Sequence, residues 1–265
     1  MSVAPTSFEP AVWERVVCGI DGTAASLEAA RQVAMLMPAS AQLTLSTVIN
    51  PPAVEAGGFL EKALTREAEE WLKEAQGEIA SRHGAEMHLR EGPPIRLLLD
   101  ELAGEHATVL ALGGHGHSRA AGISLGSVAT AMLHEAPCSV LIAHAAARNE
   151  ESGDRVLVGF DGSAGARRAL AAGREVAQRL SLELRVVVAG GGDRFHRPGW
   201  LAEEEMGPEL ALIEDPRDPV EALVDASASS GLLILGSRHL RGAPALGSVS
   251  ERVAHRAACP VLVVR

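Results

Sequence analysis

The sequence RVVCGIDGTA at residues 15–24 decides the fold, because it returns as RVLVGFDGSA at residues 155–164. A second pair, LGSV at residues 125–128 and 246–249, lies near the end of each half of the chain. Self-similarity in the same order along a chain is the mark of a duplicated structural unit. We therefore predict two tandem domains, residues 12–147 and 154–265, joined by a polar linker with its boundary near Glu150. They are called the first and the second unit below.

Each unit alternates short β-branched runs with longer helical patterns, which is typical of βα repeats and of a parallel sheet covered on both faces. In the first unit we expect strands at residues 15–20, 43–49, 86–90, 108–112 and 139–143, and helices at 24–37, 60–83, 94–102 and 127–134. In the second unit we expect strands at 155–160, 184–188, 209–213, 232–235 and 261–264, and almost no second helix, because the repeat offset falls from 140 to 123 there.

The predicted fold class is therefore α/β, with two tandem Rossmann-like units in one chain. The last strand of each unit is apolar, at residues 140–142 and 261–264. An exposed apolar edge strand promotes aggregation, and a second unit in the same chain is the simplest cover for it. We expect these two strands to pair antiparallel and to form an intrachain pseudo-dimer, and a homodimer of the whole chain remains possible.

Composition excludes several classes of function. The 265 residues are 47% hydrophobic and 22% charged, carry a net charge of -10, and include only two lysines, Lys62 and Lys73. A nucleic-acid binder is not expected, because no basic stripe is available to neutralise phosphates. No apolar run approaches the roughly 18 residues that cross a bilayer, and the first ten residues do not resemble a secretory signal. Three cysteines within apolar runs fit a protein that works away from membranes in a reducing cytoplasm.

The candidate binding site lies at the carboxyl ends of the strands, where open parallel sheets place their ligand crevice. The first strand ends at Asp21, followed by Gly22 in a tight turn and Thr23 as a helix N-cap. In this position Asp21 overlooks the crevice. The alternative is that Asp21 only accepts hydrogen bonds from the amides of the turn.

A glycine-rich segment points to the same edge of the sheet. The sequence GGHG at residues 113–116 follows the fourth strand, and Gly126 and Ser127 begin the last helix. Glycines without a β-carbon, together with the amides and dipole of a helix N-terminus, form a nest for an anion such as a triphosphate. The alternative is a loop that is rich in glycine only because the chain turns sharply.

These motifs and the duplication resemble the universal stress protein family, in its ATP-binding branch. The resemblance covers both units and rests on Asp21, the spacing of Gly113, Gly116, Gly126 and Ser127, and the apolar run after Cys138. It implies that Asp21 and Val48 face the adenosine of ATP, and that Mg2+ accompanies the nucleotide. Contacts with ribose and phosphates are implied for Gly113, Gly116, Gly126, Ser127 and Val128. The sequence departs from the family at Thr108 and Gly231, where relatives often carry an acidic residue.

The second unit keeps only part of this motif. The retained positions are Asp161, Val188, Gly236, Gly247, Ser248 and Val249. His239 stands where the motif has its second glycine, and the loop before Gly247 is two residues shorter. This pocket binds weakly, binds a different phosphate ligand, or is vestigial. Arg238 is either a substitute phosphate partner or an exposed loop residue.

Other motifs carry no chemistry of their own. The sequence contains no P-loop, no nucleophile elbow and no complete dinucleotide fingerprint. His115 and His117 have no nearby cysteine or carboxylate, so we interpret them as polar loop residues rather than metal ligands. No catalytic residue is predicted. The favoured function is a regulatory module of the stress response that binds an adenine nucleotide, and the alternatives are a slow ATP hydrolase and a nucleotide-free interaction scaffold.

Overall fold

The computed structural model describes residues 12–51, 59–114, 125–144, 154–190, 210–237 and 248–265. The strands of the first unit are β1 (Arg15–Gly19), β2 (Gln42–Ile49), β3 (Glu86–Glu91), β4 (Val109–Gly113) and β5 (Ser139–Ala143). Its helices are α1 (Ala24–Leu36), α2 (Phe59–Ile79), α3 (Pro94–Gly104) and α4 (Ser127–Glu135). The second unit contributes β6 (Arg155–Gly159), α5 (Ala164–Leu180), β7 (Glu183–Ala189), β8 (Ala211–Asp215), α6 (Pro219–Ser227), β9 (Leu232–Gly236), α7 (Ser248–Arg256) and β10 (Val261–Val264).

All ten strands form one sheet, in the order β3-β2-β1-β4-β5-β10-β9-β6-β7-β8. Within each unit the neighbouring strands are parallel, and the chain order reverses between β1 and β4, and again between β6 and β9. Helices cover both faces of the sheet: α1, α2 and α5 pack on one face, and α3, α4, α6 and α7 on the other. The predicted α/β class is confirmed. The reversals place one crevice at the carboxyl ends of the strands in each unit.

The two units meet through their last strands, as predicted. Strand β5 pairs antiparallel with β10, with Ile142 opposite Val261 and Val140 opposite Val263. The side chains of this pair are buried in the core. Polar contacts also cross the boundary between the units: His144 Nε2 lies 2.9 Å from the carbonyl of Ala254, and Arg265 donates to the carbonyl of Leu133 over 2.6 Å. The predicted linker boundary at Glu150 lies outside the described residues.

Local chemistry explains where the first helix of each unit begins. The hydroxyl of Thr23 accepts from the amide of Ser26 over 3.2 Å, and Ser163 caps α5 in the same way through the amide of Ala166. Such caps satisfy amides that a helix cannot satisfy itself. Thr108, just before β4, accepts from the amides that lead into β1. The repeated caps explain why both units have the same strand-turn-helix start.

The structure corrects the repeat register in the second unit. Ser46 of β2 pairs with Gly19, whereas Val187 of β7 pairs with the equivalent Gly159, so β7 is displaced by one residue from the predicted offset. Strand β8 spans Ala211–Asp215, two residues later than predicted. Helix α5 has 17 residues against 13 in α1, and its connection to the next strand has two residues against five, so the net difference before β7 is one residue. Residues 191–209, where almost no second helix is expected, lie outside the described residues.

Smaller differences concern the ends of elements in the first unit. Helix α2 ends at Ile79 rather than at His83, and β4 runs from Val109 to Gly113, one residue later than predicted. Helix ends are the least certain part of any pattern-based assignment. Along the ranges that the structure describes, no helix is both long and apolar enough to cross a membrane.

The β5–β10 pairing leads to a first prediction, on residues 1–147 expressed alone. Without β10, the apolar edge of β5 loses its partner, and a second copy of the same unit offers an equivalent edge. We therefore expect a homodimer in analytical ultracentrifugation. A soluble half-protein that stays strictly monomeric at high concentration would contradict the role given to this edge.

Candidate functional site

A cavity of about 320 Å3 lies at the carboxyl edge of the first unit, between β1, β2 and β4 and the helices α3 and α4. Its lining comprises Gly19, Ile20, Asp21, Ser26, Ser46, Val48, Pro94, Leu98, Leu112, Gly113, Gly126, Ser127, Val128 and Ala129. Six of the residues predicted for this unit are thereby brought together, namely Asp21, Val48, Gly113, Gly126, Ser127 and Val128. Gly22, also predicted for this site, is not among the lining residues, and Gly116 lies outside the described residues.

The turn after β1 is held by a local hydrogen-bond network. Oδ1 of Asp21 accepts from the amide of Thr23 over 3.1 Å and from its hydroxyl over 2.6 Å, and the amide of Asp21 donates to Ser26 Oγ over 3.2 Å. Gly22 has a φ of +77°, and a β-carbon there would lie 2.3 Å from the ring of Trp71. A glycine is therefore required at this position for two reasons. Asp21 thus accepts hydrogen bonds within the turn and is also one of the residues that line the cavity.

The glycines after β4 have a packing role that the sequence did not reveal. A β-carbon on Gly113 would lie 2.7 Å from the carbonyl carbon of Ala25 and 2.8 Å from the amide nitrogen of Ser26. The amide of Gly114 donates to the carbonyl of Ala143, and the amide of Gly126 donates to the carbonyl of Gly114. The distance from nitrogen to oxygen is 2.9 Å in both hydrogen bonds. These two amides are already satisfied within the protein. Among the described residues, other amides would have to serve as anion donors at this edge.

The N-terminus of α4 provides such donors. Gly126 is its N-cap and makes no side-chain capping bond, whereas side chains cap α1, α5 and α6. The first amides of a helix have no acceptor within the helix, and the dipole adds about half a positive charge at this end. Ser127, Val128 and Ala129 of this first turn all line the cavity. Among the described residues, the N-terminus of α4 is thus the feature of this edge that could attract an anion, while Gly116 of the predicted nest lies outside the described residues.

The side of the cavity towards β2 and α3 is apolar, because Val48 and Leu98 line it there. Ile20 and Leu112 add apolar surface from the end of β1 and from β4.

Pattern reasoning missed eight lining residues, although Ser46 is marked by the two-residue period that places it on the same face of β2 as Val48. These are Gly19, Ile20, Ser26, Ser46, Pro94, Leu98, Leu112 and Ala129. The cavity therefore has a helix N-terminus on one side and an apolar end on the other.

The second unit has a smaller cavity, of about 120 Å3, at the equivalent edge. Asp161, Gly236 and Val249 border it as predicted positions, while Arg238 and Gly247 lie outside the described residues. The backbone of Ser248 begins α7. A β-carbon on Gly236 would lie 2.2 Å from the carbonyl carbon of Gly165, so β9 and α5 pack without a gap.

The prediction that Val188 borders the binding site of the second unit is wrong. Val188 is buried on the opposite face of the sheet, in the core under α5, and Val187 and Ala189 border the cavity instead. The cause is the extra residue before β7, because a shift of one residue turns every side chain of a strand to the other face. By strand register, Ala189 is the counterpart of Val48, and Val187 is the counterpart of Ser46.

The remaining reactive groups offer little chemistry. Burial raises the pKa of the thiols of Cys18, Cys138 and Cys259 to about 12, so they stay protonated at neutral pH. In the part of the chain that the structure describes, no three His, Cys, Asp or Glu residues are grouped as a metal site. Asp21 is the carboxylate among the described lining residues. Mg2+ in nucleotide sites is held largely by phosphates and by one or two carboxylates, so a lining with this carboxylate is compatible with Mg2+ when a ligand supplies further oxygens.

A doubly wound α/β unit, duplicated around an antiparallel strand pair and with its cavity at the switch in strand order, defines the class of this protein. The profile of the universal stress protein family matches residues 13–144 and 200–265. The chain belongs to this family.

Individual relatives support the assignment over the whole length of the chain. A universal stress protein of Mycolicibacterium smegmatis is 28% identical in a match that covers 94% of this chain and 96% of that protein. A universal stress protein of Mycobacterium tuberculosis is also 28% identical, with the same shares of both chains. The crystal structure of a universal stress protein from Archaeoglobus fulgidus has a TM-score of 0.75 and 25% identity, and the match covers 95% of this chain and 98% of that one.

Proposed function

We propose that the first unit binds ATP, together with Mg2+, and that the protein is a regulatory nucleotide-binding module. The observation that carries this proposal is the two-ended cavity: Ser127 and Val128 lie at the uncapped N-terminus of α4, and Val48 and Leu98 lie at the apolar end. A volume of about 320 Å3 is that of a small-molecule site. In this arrangement the phosphates meet the helix N-terminus, and the adenosine lies between β2 and α3 beside Asp21.

Regulation is favoured over hydrolysis by what borders the cavity. Among its described lining residues there is no lysine, arginine or histidine, and Oδ1 of the Asp21 carboxylate already accepts from Thr23. Rapid phosphoryl transfer needs a positioned base or water-orienting group and a cation that stabilises the developing charge. Slow hydrolysis is the second candidate function. In the favoured function, a partner protein would distinguish the nucleotide-bound chain from the nucleotide-free chain.

The second unit is proposed as the weaker site. Its cavity is smaller, and two polar floor positions of the first unit, Ser26 and Ser46, are occupied there by Ala166 and Val187. His239 and the shortened loop before Gly247 point in the same direction on sequence alone. We therefore propose one strong ATP site in each chain.

Two measurements test this proposal, and they form the second prediction. Mass spectrometry of the small molecules released by denaturing the purified protein is expected to show adenine nucleotide. Isothermal titration of nucleotide-free full-length protein with Mg-ATP is expected to give a stoichiometry of one. Two equal sites per chain would contradict the asymmetry, and absence of binding would contradict the function itself.

A further inference from the structure

A buried carboxylate lies beneath the apolar end of the cavity. The Glu101 side chain of α3 is 3% exposed, and each of its oxygens has one hydrogen-bond partner. Ser46 Oγ lies 2.5 Å from Oε2, and His88 Nδ1 lies 2.7 Å from Oε1. The three side chains come from β2, β3 and α3, so the sheet and its covering helix jointly hold this cluster.

The cluster reaches the cavity through Ser46. This residue lines the cavity and precedes Val48 by two positions on the same face of β2. Glu101 follows Leu98, another lining residue, by almost one helical turn. In the sheet, β2 lies two strands away from β4, the strand that precedes α4. Ser46 therefore lies on the side of the cavity that we propose receives the nucleobase.

The chemistry of this arrangement sets the direction of the Ser46 hydroxyl. A carboxylate only accepts hydrogen bonds, so the single proton of the Ser46 hydroxyl is donated to Glu101. The lone pairs of the oxygen then remain for the cavity. A buried acceptor of this kind favours a ligand with an N–H group and disfavours one that leaves it unpaired.

We propose that Ser46, positioned by Glu101, accepts a hydrogen bond from the exocyclic amino group of the nucleobase and so determines base specificity. The proposal rests on the nucleotide-binding function given above. Glu101 acts as a positioning residue through Ser46, and His88 holds the second oxygen of the carboxylate in place.

The second unit offers an internal comparison. Its counterparts of Ser46, His88 and Glu101 are Val187, Ile213 and Ala226, as read from the strand registers and from the proline that begins α3 and α6. All three are apolar, so these positions of the second unit offer no such acceptor. The two units share the fold but not this cluster. The cluster is therefore better explained by ligand specificity than by folding.

The experiment compares ATP with purine riboside triphosphate, which lacks only the amino group. Titration of the full-length protein is expected to give about tenfold tighter binding of ATP. In Ser46→Ala the two affinities are expected to agree within about twofold. Glu101→Met keeps the length of the side chain but removes the acceptor, and it is expected to reduce the ratio of the ATP affinity to the purine riboside triphosphate affinity. Added to Ser46→Ala, it is expected to change this ratio no further.

Thr44→Val is the matched control, because Thr44 lies two residues before Ser46 on the same face of β2 and does not border this cavity. It is expected to leave the ratio unchanged. Equal affinities of wild-type protein for both nucleotides would overturn the specificity proposal and leave ATP binding intact. Failure of both nucleotides to bind would instead overturn the proposed function. The wild-type comparison needs no variant, so the test stands even if Glu101→Met does not fold.

Discussion

Replacing Gly113 by alanine is expected to lower the free energy of unfolding by about 2–3 kcal/mol and to weaken ATP binding at least about tenfold. The added β-carbon would meet the backbone of Ala25 and Ser26 at 2.7 and 2.8 Å. Backbone atoms cannot rotate aside, so the end of β4 and the start of α1 must move apart. Both elements border the cavity, and the displacement reaches Asp21 through the Ser26 hydroxyl to which its amide donates.

Gly236→Ala is the matched control in the second unit. Its β-carbon would lie 2.2 Å from the carbonyl carbon of Gly165, so we expect a similar loss of stability, but an ATP affinity within about twofold of wild type. Gly104→Ala has open space around the new β-carbon and is expected to change neither quantity. Urea denaturation and calorimetric titration measure the two effects. Equal losses of ATP affinity in Gly113→Ala and Gly236→Ala would show that the loss reflects general instability.

Much of the fold could be predicted because its determinants are local in the sequence. The duplication is visible in the repeat at residues 15–24 and 155–164. The start of the first helix in each unit is marked by its cap, Thr23 or Ser163. The alternation of strand and helix patterns predicts the α/β class. The β5–β10 pairing followed from the need to cover two apolar edges. These features depend on periodicity and composition, which a sequence displays directly.

The parts that could not be predicted depend on register and on contacts between distant residues. One extra residue before β7 turns Val188 away from the cavity. The sequence does not show at which point between α5 and β7 this residue is inserted. The hydrogen bond between Ser46 and Glu101 joins residues 55 positions apart on different elements. Likewise, Gly113 lies so close to α1 that a β-carbon would not fit there. A phosphate-binding motif alone does not suggest this packing requirement.

Ser127→Pro is expected to weaken ATP binding by roughly 10- to 100-fold while leaving the fold intact. Proline removes the amide of the first residue of α4, and one charge-assisted hydrogen bond is worth about 1.5–3 kcal/mol. The helix itself should tolerate the change, because proline suits the first helical position and α3 and α6 already begin with Pro94 and Pro219. Gly126 has φ -69° and ψ 158°, an extended conformation that a following proline favours.

Ser127→Ala separates the amide from the hydroxyl, since it removes only the latter and is expected to weaken binding by about threefold at most. Ser248→Pro makes the same change at the first residue of α7 and is expected to leave the ATP affinity of the full chain unaltered. Titration with Mg-ATP and circular dichroism of all three variants decide the matter. If Ser127→Pro binds ATP as tightly as Ser127→Ala, the first amide of α4 does not contact the phosphates. If Ser248→Pro is the damaging change instead, the strong site belongs to the second unit, and the order of the two sites has to be reversed.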